Sequence, residues 1–308
     1  MKTIIIGAGM AGLSAAKILT QKGHKVTVLD KGRGVGGRMS TRTIEQGKAD
    51  HGAQYFSVKT PEFQALIDQL SAENITATWQ LAQRENSRYV GAKGMNTIPK
   101  KMAENLDIRL NEKAILVAES EVKTESGNTY SFDNLIVTIP IPQAVELFTN
   151  SKMALSEQDS TVVAGIKYEP CIAIMAVLKE KTSIPTGGII LENQAVAWIA
   201  DNFQKGISVI PTATLHASAA FSTTHFEEDL QTVSKMMLNA VNQWITPENI
   251  VSWQAHRWRY SNASERYEAA FYQLQNQQIY LAGDGFGVGN VEGAFLSGYK
   301  VGQAISEL

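Results

Sequence analysis

The stretch TIIIGAGMAGLSAAKILTQKGHKVTVLD, residues 3–30, decides the fold. Its β-branched start, Thr3–Ile6, predicts a short strand. Gly7, Gly9 and Gly12 follow with the G-x-G-x-x-G spacing at the mouth of a helix. In this spacing the first glycine permits a tight turn, the second lets a pyrophosphate approach the backbone, and the third lets the helix lie close to the strand. Free N–H groups at the helix N-terminus then face the phosphates.

The second half of the stretch completes a strand–helix–strand unit. The helix is expected from Met10 to about Gln21, and Val26–Leu29 predicts the next strand. That strand delivers Asp30 about twenty residues after the glycine motif, where a carboxylate can bond a ribose hydroxyl. A glycine triplet alone could be a chance turn, but the strand, helix, strand and acid in register favour a dinucleotide-binding unit.

The composition is that of an ordinary globular protein, with 308 residues, 44% hydrophobic content and a net charge of -2. Nucleic acids and anionic membranes require a clustered positive field, so neither is an expected partner. Cys171 is the single cysteine, which excludes an internal disulfide, and no Cys/His spacing indicates a metal site. Because the nucleotide motif begins at residue 3, we expect no signal peptide ahead of it and a cytoplasmic enzyme.

The rest of the chain contains segments with the hydrophobic period of a helix and segments with that of a strand. Helices are expected at Pro61–Leu70, Thr97–Asn105 and Phe226–Trp244, and from about Val291 onward. Strands are expected at Ile108–Leu110, Ala114–Glu119, Glu121–Thr124, Thr129–Phe132, Leu135–Ile139, Ile172–Leu178, Gly188–Leu191, Ala195–Ile199, Thr214–Phe221 and Ile279–Ala282, with two short ones within Trp79–Val90.

Further glycine-rich segments line up with the N-terminal motif from one end of the chain to the other. They are Gly36-Gly37-Arg38-Met39, Gly52-Ala53-Gln54-Tyr55-Phe56, Gly283-Asp284-Gly285-Phe286 and Glu292-Gly293-Ala294, with Arg257-Trp258-Arg259-Tyr260-Ser261 between them. This order resembles the FAD-binding scaffold of monoamine oxidases and phytoene desaturases, and within it the renalase family.

The resemblance implies an α/β fold, in which a Rossmann-type FAD-binding domain of the amine-oxidase branch carries an inserted α+β substrate domain. Residues 1–60, 93–145 and 262–308 are assigned to the discontinuous FAD-binding domain. Residues 61–92 and 146–261 are assigned to the substrate domain. The resemblance covers essentially the whole chain, although the substrate domain rests on fewer motifs.

The resemblance also implies which residues hold the FAD. Arg38 would neutralise the pyrophosphate, and Asp284 would bond the ribityl chain or a phosphate-bound water; a surface ion pair and an ordinary turn aspartate are the alternatives. Gly293 and Ala294 would direct helix N–H groups at the flavin ring. The implied cofactor contacts are Gly7, Gly9, Met10, Ala11, Gly12, Asp30, Lys31, Gly37, Arg38, Met39, Gln54, Tyr55, Phe56, Ala114, Gly283, Asp284, Glu292, Gly293 and Ala294.

Attachment of the FAD is expected to be non-covalent. Amine oxidases with covalent flavin carry a cysteine near the C-terminal glycine segment, and this chain has none there. No second G-x-G-x-x-G motif follows a strand, so a separate NADPH domain is not expected.

Aromatic side chains are the candidates for the substrate site, because they can form a slot for a flat ring over the flavin. Tyr55, Trp258 and Tyr260 are expected to line this slot, and His256 would share the face of Trp258 on a strand. Core packing is the alternative for the aromatic residues, and a structural role is the alternative for His256. The renalase resemblance adds Trp198 and Asn202; animal renalases carry histidine where this chain has Tyr260.

The renalase resemblance implies an oxidase of misreduced dihydronicotinamide dinucleotides. Hydride from ring carbon 2 or 6 of the NAD(P)H isomer would pass to flavin N5, and O2 or another acceptor would reoxidise the flavin. A flavin amine oxidase or a desaturase on the same fold is the first alternative, since fold does not fix function. A non-catalytic flavin-binding redox sensor is the second.

Overall fold

The computed structural model describes residues 1–192 and 194–308, and the first part of the chain alternates strands with helices. The elements up to residue 150 are β1 (Lys2–Ile6), α1 (Met10–Gln21), β2 (Lys25–Asp30), β3 (Thr41–Ile44), β4 (Gly47–Asp50), α2 (Pro61–Ala72), β5 (Thr76–Trp79), β6 (Arg88–Gly91), α3 (Thr97–Met102), β7 (Ile108–Leu110), β8 (Ala114–Val117), β9 (Glu121–Thr124), β10 (Thr129–Ser131), β11 (Asn134–Val137) and α4 (Ile141–Asn150).

The second part contains longer strands. Its elements are α5 (Glu157–Gly165), β12 (Lys167–Leu178), β13 (Gly188–Ile190), β14 (Val196–Asp201), β15 (Thr212–Ala217), α6 (Ala219–His225), α7 (Leu230–Ala240), β16 (Ile250–Glu265), β17 (Phe271–Gln273), β18 (Ile279–Ala282) and α8 (Asn290–Ser306), with single 3₁₀ turns at Pro185–Gly187 and Pro247–Asn249.

A six-stranded sheet in the order β17-β18-β11-β1-β2-β7 organises the nucleotide-binding part. β1 pairs in parallel with both β11 and β2, and only β17 runs antiparallel to its neighbour in this sheet. All four residues of β11 are buried, as expected for a strand covered on both faces. The α/β fold and the Rossmann-type unit expected from residues 3–30 are therefore confirmed.

Helix α1 lies close to this sheet and to α8 because Gly12 and Gly298 have no side chains. A Cβ on Gly12 would lie 1.9 Å from the carbonyl oxygen of Gly7, and a Cβ on Gly298 would lie 1.9 Å from that of Ala11. The C-terminal helix thus packs directly on the helix that follows the first strand. Both ends of the chain meet on one face of the sheet.

The other large sheet is antiparallel, with the strand order β13-β14-β15-β12-β16. Ile174, Ile199 and Leu215 lie on its inner face and pack in one core with the buried side of α7, including Val233 and Met237. The side chains that alternate with them face the nucleotide-binding part. This sheet comes from the region assigned to the substrate domain.

The proposed domain boundaries cut across some contacts. Strand β16 continues to Glu265, beyond residue 261. Helix α2 packs toward α8, where the rings of Phe63 and Phe295 have centroids 5.0 Å apart. The division at residues 60, 92, 145 and 261 therefore stays a proposal.

Two sequence predictions in the antiparallel region were wrong. The strand expected over Thr214–Phe221 ends at Ala217, because the Ser218 side chain accepts a hydrogen bond from the amide of Phe221 and starts α6. The single helix expected over Phe226–Trp244 is confined to Leu230–Ala240, capped by Asp229. Local capping thus overrides a continuous apolar period.

Within the described residues, no helix is both long enough and apolar enough to cross a membrane. The cytoplasmic location stays a prediction.

We predict that Gly298→Ala will weaken the packing of α8 on α1. The new methyl group would overlap a backbone oxygen, which cannot move away as a flexible side chain could, and overpacking of this kind costs about 1–3 kcal/mol. Chemical denaturation should show this loss. Gly165→Ala in α5 is the control, since a Cβ there meets no atom within 4 Å; equal stability of the two variants would contradict the prediction.

Candidate active site

A cavity of about 1220 Å³ lies between the carboxyl ends of β1, β2 and β11 and the antiparallel sheet. It exceeds the range of about 300–1,000 Å³ that is typical of small-ligand pockets, so it has room for a dinucleotide and a second ring. The predicted residues that line it are Gly7, Gly9, Met10, Ala11, Asp30, Lys31, Gly37, Arg38, Met39, Gln54, Tyr55, Ala114, Trp198, His256, Trp258, Tyr260, Gly283, Asp284 and Ala294.

The glycine turn between β1 and α1 forms one end of this cavity. Gly7 has a φ of +110°, a conformation that favours glycine. Gly9 is the N-cap of α1 and provides no side-chain cap, so the first N–H groups of the helix are left for a ligand. A Cβ on Gly9 would meet no protein atom within 4 Å. The turn therefore leaves open space where phosphates are expected.

Asp30 stands at the neighbouring edge of the cavity. One carboxylate oxygen accepts a hydrogen bond from the amide of Ala8 at 2.7 Å, and the other accepts from the amide of Gly32 at 2.6 Å. These bonds fix the carboxylate but leave further lone pairs, because an ionised carboxylate can accept about four hydrogen bonds. Asp30 can thus still accept a ribose hydroxyl.

Arg38 and Asp284 form a bidentate ion pair in the cavity wall. Both guanidinium–carboxylate distances are 2.6 Å, and Arg38 also donates to the backbone oxygens of Tyr260 and Ser261 at 3.1 and 3.2 Å. The pair joins segments that are far apart in sequence. Because the charge of Arg38 is already balanced, its expected interaction with a pyrophosphate stays a prediction.

One row of the antiparallel sheet faces the cavity. Paired positions across β13, β14, β15, β12 and β16 carry in turn Ile190, Trp198, His216, Ala173 and His256. We call these five residues the cavity-facing row; all except Ala173 line the cavity. The row places the Trp198 and His216 rings on one side of the small Ala173 side chain and the His256 ring on the other. It forms the cavity wall opposite the nucleotide-binding sheet.

Trp258 and His51 lie beside the cavity-facing row. The Trp258 ring is stacked on that of His51 with a centroid distance of 5.3 Å and is 4.4 Å edge-on from His256. Its Nε1 donates to the backbone oxygen of His51 at 2.7 Å, and His216 Nε2 is bonded to the same oxygen at 3.2 Å. The expected proximity of His256 and Trp258 is confirmed, and these rings are fixed by mutual contacts.

The histidines around this wall are uncharged at neutral pH. Burial lowers the pKa of His51 to about 3, and neighbouring His256 and Arg42 also contribute to lowering it. Burial likewise lowers the pKa of His216 to about 4 and that of His256 below its usual value. The wall therefore presents neutral rings rather than cations.

A buried ion pair holds the segment that leads to Gln54 and Tyr55. Lys205 Nζ lies 2.7 Å from an Asp50 carboxylate oxygen and 2.6 Å from the backbone oxygen of Gln54, and neither charged side chain is exposed. The second Asp50 oxygen accepts from the Thr41 hydroxyl and the Met95 amide. Burial lowers the pKa of Lys205, which the Asp50 charge opposes. This pair locks the loop after β14 onto the cavity wall.

Five predicted site residues do not line the cavity: Gly12, Phe56, Asn202, Glu292 and Gly293. Gly12 instead allows the close approach of α1 described above. Buried Asn202 donates its side-chain amide to the Thr214 hydroxyl at 3.0 Å, which places it in the loop after β14. The proposed substrate contact of Asn202 is therefore not supported by its position.

The three others serve the packing around the N-termini of α2 and α8. Glu292 is buried, and one of its oxygens accepts from the amides of Lys59 and Thr60 at 2.9 and 2.7 Å. Phe56 pairs through its backbone with Tyr89. Gly293 lies within the first turn of α8, next to cavity-lining Ala294. The expected FAD contacts of Glu292, Gly293 and Phe56 stay predictions, beside these packing roles.

Sequence reasoning missed several lining residues, of which His216 is the most informative. It stands in the apolar strand sequence TATLHA, where a single histidine breaks the pattern. Its alignment with Trp198 and His256 depends on pairing between distant strands. The sequence signal that pointed to His216 was its position as an isolated polar ring in an apolar strand.

The chain's only cysteine does not line the cavity. Cys171 is buried in β12 opposite Trp258, and burial raises its pKa to about 12. A thiol of this kind is an inert core residue. The non-covalent attachment of the cofactor stays a prediction.

The cavity fits FAD at both ends. At the turn end, Gly9 leaves space for a pyrophosphate beside uncapped N–H groups, and Asp30 can accept a ribose hydroxyl. At the other end, Tyr55 and the cavity-facing row offer an uncharged wall of side chains for a ring system. Gly7, Gly9, Asp30 and Ala294 would hold the cofactor, and the row would leave its exposed ring edge open to a substrate.

We predict that Gly9→Ala will weaken FAD binding without destabilising the apoprotein. The φ of -80° suits alanine, and the methyl group meets no protein atom, but it would occupy the approach of the pyrophosphate. Loss of even one hydrogen bond to a charged group, worth about 1.5–3 kcal/mol, should lower FAD affinity at least about tenfold. Flavin fluorescence titration measures this affinity.

Gly34→Ala is the matched control for the Gly9 variant. A Cβ on Gly34 also meets no atom within 4 Å, yet Gly34 does not line the cavity. The control should retain wild-type affinity for FAD. Equal affinities of the two variants would contradict the assignment of the glycine turn.

We predict that Lys205→Met will cost about 3–5 kcal/mol of stability, because it leaves the Asp50 carboxylate buried without its cation. The double variant with Asp50→Asn should recover part of the loss. Lys101→Met, which breaks a partly exposed pair with Glu73, should cost no more than about 1 kcal/mol. Urea denaturation measures the stability of all three variants. A stability loss from Lys205→Met that is no larger than the loss from Lys101→Met would contradict the prediction.

Comparison with known proteins agrees with this site. Residues 5–70 match the NAD(P)-binding Rossmann-like domain, and residues 71–306 match the flavin containing amine oxidoreductase family. Mouse renalase is 23% identical over 97% of both chains, which confirms the resemblance to renalase. Putrescine oxidase from Kocuria rosea is 35% identical, but only over 30% of this chain and 18% of its own.

Solved structures show the same fold. A putative protoporphyrinogen oxidase from Exiguobacterium has a TM-score of 0.76 at 11% identity, with 99% of this chain and 98% of that chain covered. A putrescine oxidase bound to putrescine has a TM-score of 0.73 at 14% identity and covers 100% of both. This chain therefore belongs to the flavin containing amine oxidoreductase family and is an FAD-dependent oxidoreductase.

Proposed function

We propose that this enzyme oxidises the 2- and 6-dihydro isomers of NAD(P)H to NAD(P)+. The observation that carries the proposal is the uncharged wall of rings formed by the cavity-facing row with Trp258 and Tyr260. A dihydronicotinamide is itself flat and uncharged, and it must stack at van der Waals distance from a flavin. The full-length likeness to mouse renalase supports the same substrate class.

The charges of the cavity lining disfavour a protonated amine at the cavity-facing row. The carboxylates that line the described cavity are Asp30, Glu112, Glu146 and Asp284, and none of them belongs to the antiparallel sheet. Arg257 and Arg259 alternate with Trp258 along β16, and their guanidinium groups lie over the Phe226 ring on the other face of the sheet. A protonated amine at the row would therefore meet neutral rings, without a carboxylate to balance its charge.

The protein's part in such a reaction is to position the ring. Trp258 is fixed by its hydrogen bond to the backbone of His51, and Trp198 is packed edge-on against Tyr55 at 5.4 Å. Bound FAD supplies the two-electron acceptor, from which O2 or another acceptor takes the electrons. Because the nicotinamide product regains aromaticity, no general base is required, which agrees with a wall of neutral histidines.

Anaerobic mixing tests the proposal directly. The FAD-loaded protein should lose its flavin absorbance rapidly with the 2-dihydro isomer, the 6-dihydro isomer or both. The protein should lose its flavin absorbance far more slowly with ordinary 4-dihydro NADPH. This compound is the matched control because it has the same charge and size as the 2- and 6-dihydro isomers of NADPH. Since the wall histidines are neutral, the rate of bleaching should show no inflection near the usual histidine pKa of about 6.5.

The alternatives give different results in the same assay. Bleaching by a panel of primary and secondary amines, with none by the dihydro isomers, would replace the proposal with amine oxidation. A flavin that no small donor reduces, in a protein that keeps a stable partner, would indicate a redox sensor. Either result would overturn the proposed function.

A further inference from the structure

Strand β16 (Ile250–Glu265) forms one edge of the antiparallel sheet. Among the described residues, β12 is the one strand that pairs with it. The outer side of an edge strand presents N–H and C=O groups that can pair with a further strand. Proteins usually protect such edges with prolines, bulges or charged side chains.

The middle of β16 lacks this protection. The strand contains no proline, and its pairing with β12 is regular from Ser252 to Trp258, because the register shifts lie outside this stretch. The guanidinium groups of Arg257 and Arg259 lie over the Phe226 ring, which packs on one face of the sheet. These charged groups therefore cover a face of the sheet and leave its edge open.

The hydrogen bonds of β12 show which residues of β16 face outward. The amide of Ile172 donates to the Ser222 hydroxyl, and that of Leu178 donates to the backbone oxygen of Pro211, so the even-numbered residues of β12 face away from β16. The odd-numbered residues from Cys171 to Val177 therefore bond to the even-numbered residues of β16 opposite them. The residues that alternate with these face outward, and we call them the open edge: Val251, Trp253, Ala255, Arg257 and Arg259.

The open edge has clear limits. Within the part of the chain that the structure describes, its backbone groups have no hydrogen-bond partner outside β16. Directly after it, Arg38 donates to the backbone oxygens of Tyr260 and Ser261 at 3.1 and 3.2 Å. At the other end, Val251 is 53% exposed. The open edge is therefore a continuous stretch with Ala255 at its centre.

We propose that the open edge pairs with the open edge of a second copy of this chain, antiparallel and around a twofold axis at Ala255. This axis places Ala255 opposite itself, Trp253 opposite Arg257, and Val251 opposite Arg259. Every outward residue then has a hydrogen-bonded partner, and the interface is the same on both copies. The two five-stranded sheets become one continuous sheet.

Charge and space favour this register over its neighbours. An axis at Arg257 would place that arginine opposite itself, and an axis at Trp258 would place it opposite Arg259; like charges directly opposite are destabilising. An axis at His256 would place Val251 opposite Ser261, whose carbonyl is already bonded to Arg38. With the axis at Ala255, no two arginines face each other and the whole open edge is used.

The pairing would bring the second copy to the rim of the cavity. His256 and Trp258 line the cavity from β16. In the proposed register, Gln254 of the partner subunit lies opposite His256, and Ser252 of the partner subunit lies opposite Trp258. The second copy would thus extend the cavity wall. This dimer does not depend on the proposed function and can be tested without any substrate.

Sedimentation equilibrium of the FAD-loaded protein over a series of concentrations tests the proposal. The wild type should reach twice the mass of one chain. Ala255→Pro should stay at the mass of one chain with its FAD content unchanged, because proline removes an outward N–H and is tolerated on an edge strand at such a position. A wild type that is monomeric at every concentration, whether or not it binds another strand at β16, would overturn the proposal. A dimer that survives the proline would do the same.

A charge variant tests the register and does not require a proline in the strand. Val251→Arg places a cation opposite Arg259 at two symmetry-related positions and should raise the dissociation constant of the dimer about tenfold. Val209→Arg is the matched control, because Val209 is 81% exposed but lies in the loop before β15. Adding Arg259→Gln to Val251→Arg should restore the wild-type dissociation constant. Equal effects of Val251→Arg and Val209→Arg, or no recovery in the double variant, would overturn the pairing around Ala255.

Discussion

The structure depends on the close approach of helix α1 to the parallel sheet on one side and to α8 on the other. Gly12 and Gly298 make this possible, since a Cβ at either position would lie 1.9 Å from a backbone oxygen. The approach aims the uncapped N-terminus of α1 at the cavity and brings the last helix beside the first. As a result, Gly9 from one end of the chain and Ala294 from the other line the same space. A cofactor site formed by both termini follows from this packing.

Two ion pairs, one in the cavity lining and one behind it, fix the geometry around that space. Arg38 is paired with Asp284, and Lys205 is paired with Asp50, so neither cation is left to attract a ligand. Breaking such a buried pair is costly, which suits a role in fixing geometry. The antiparallel sheet then completes the cavity with neutral rings. The proposed binding of the cofactor and the proposed stacking of a substrate are thereby assigned to two sheets of different chemistry.

The local parts of the fold were predictable from the sequence, and the long-range parts were not. The strand, glycine turn, helix and Asp30 of the first βαβ unit follow from short-range spacing, and Trp258 and His256 were expected on one strand face. By contrast, the ion pair of Arg38 joins residues 246 positions apart, and that of Lys205 joins residues 155 apart. The hydrogen bonds of Glu292 were hidden for the same reason, because its partners at residues 59 and 60 lie across the fold.

The central claim is that FAD lies in the cavity with its ring beside the cavity-facing row. An experimental structure of the protein loaded with FAD tests this most directly. We expect the pyrophosphate at the turn around Gly9, a ribose hydroxyl at Asp30, and the ring next to Tyr55 with its reactive edge open toward Trp198 and His256. A ring bound elsewhere, or side chains of the row filling the space opposite the flavin, would contradict the claim.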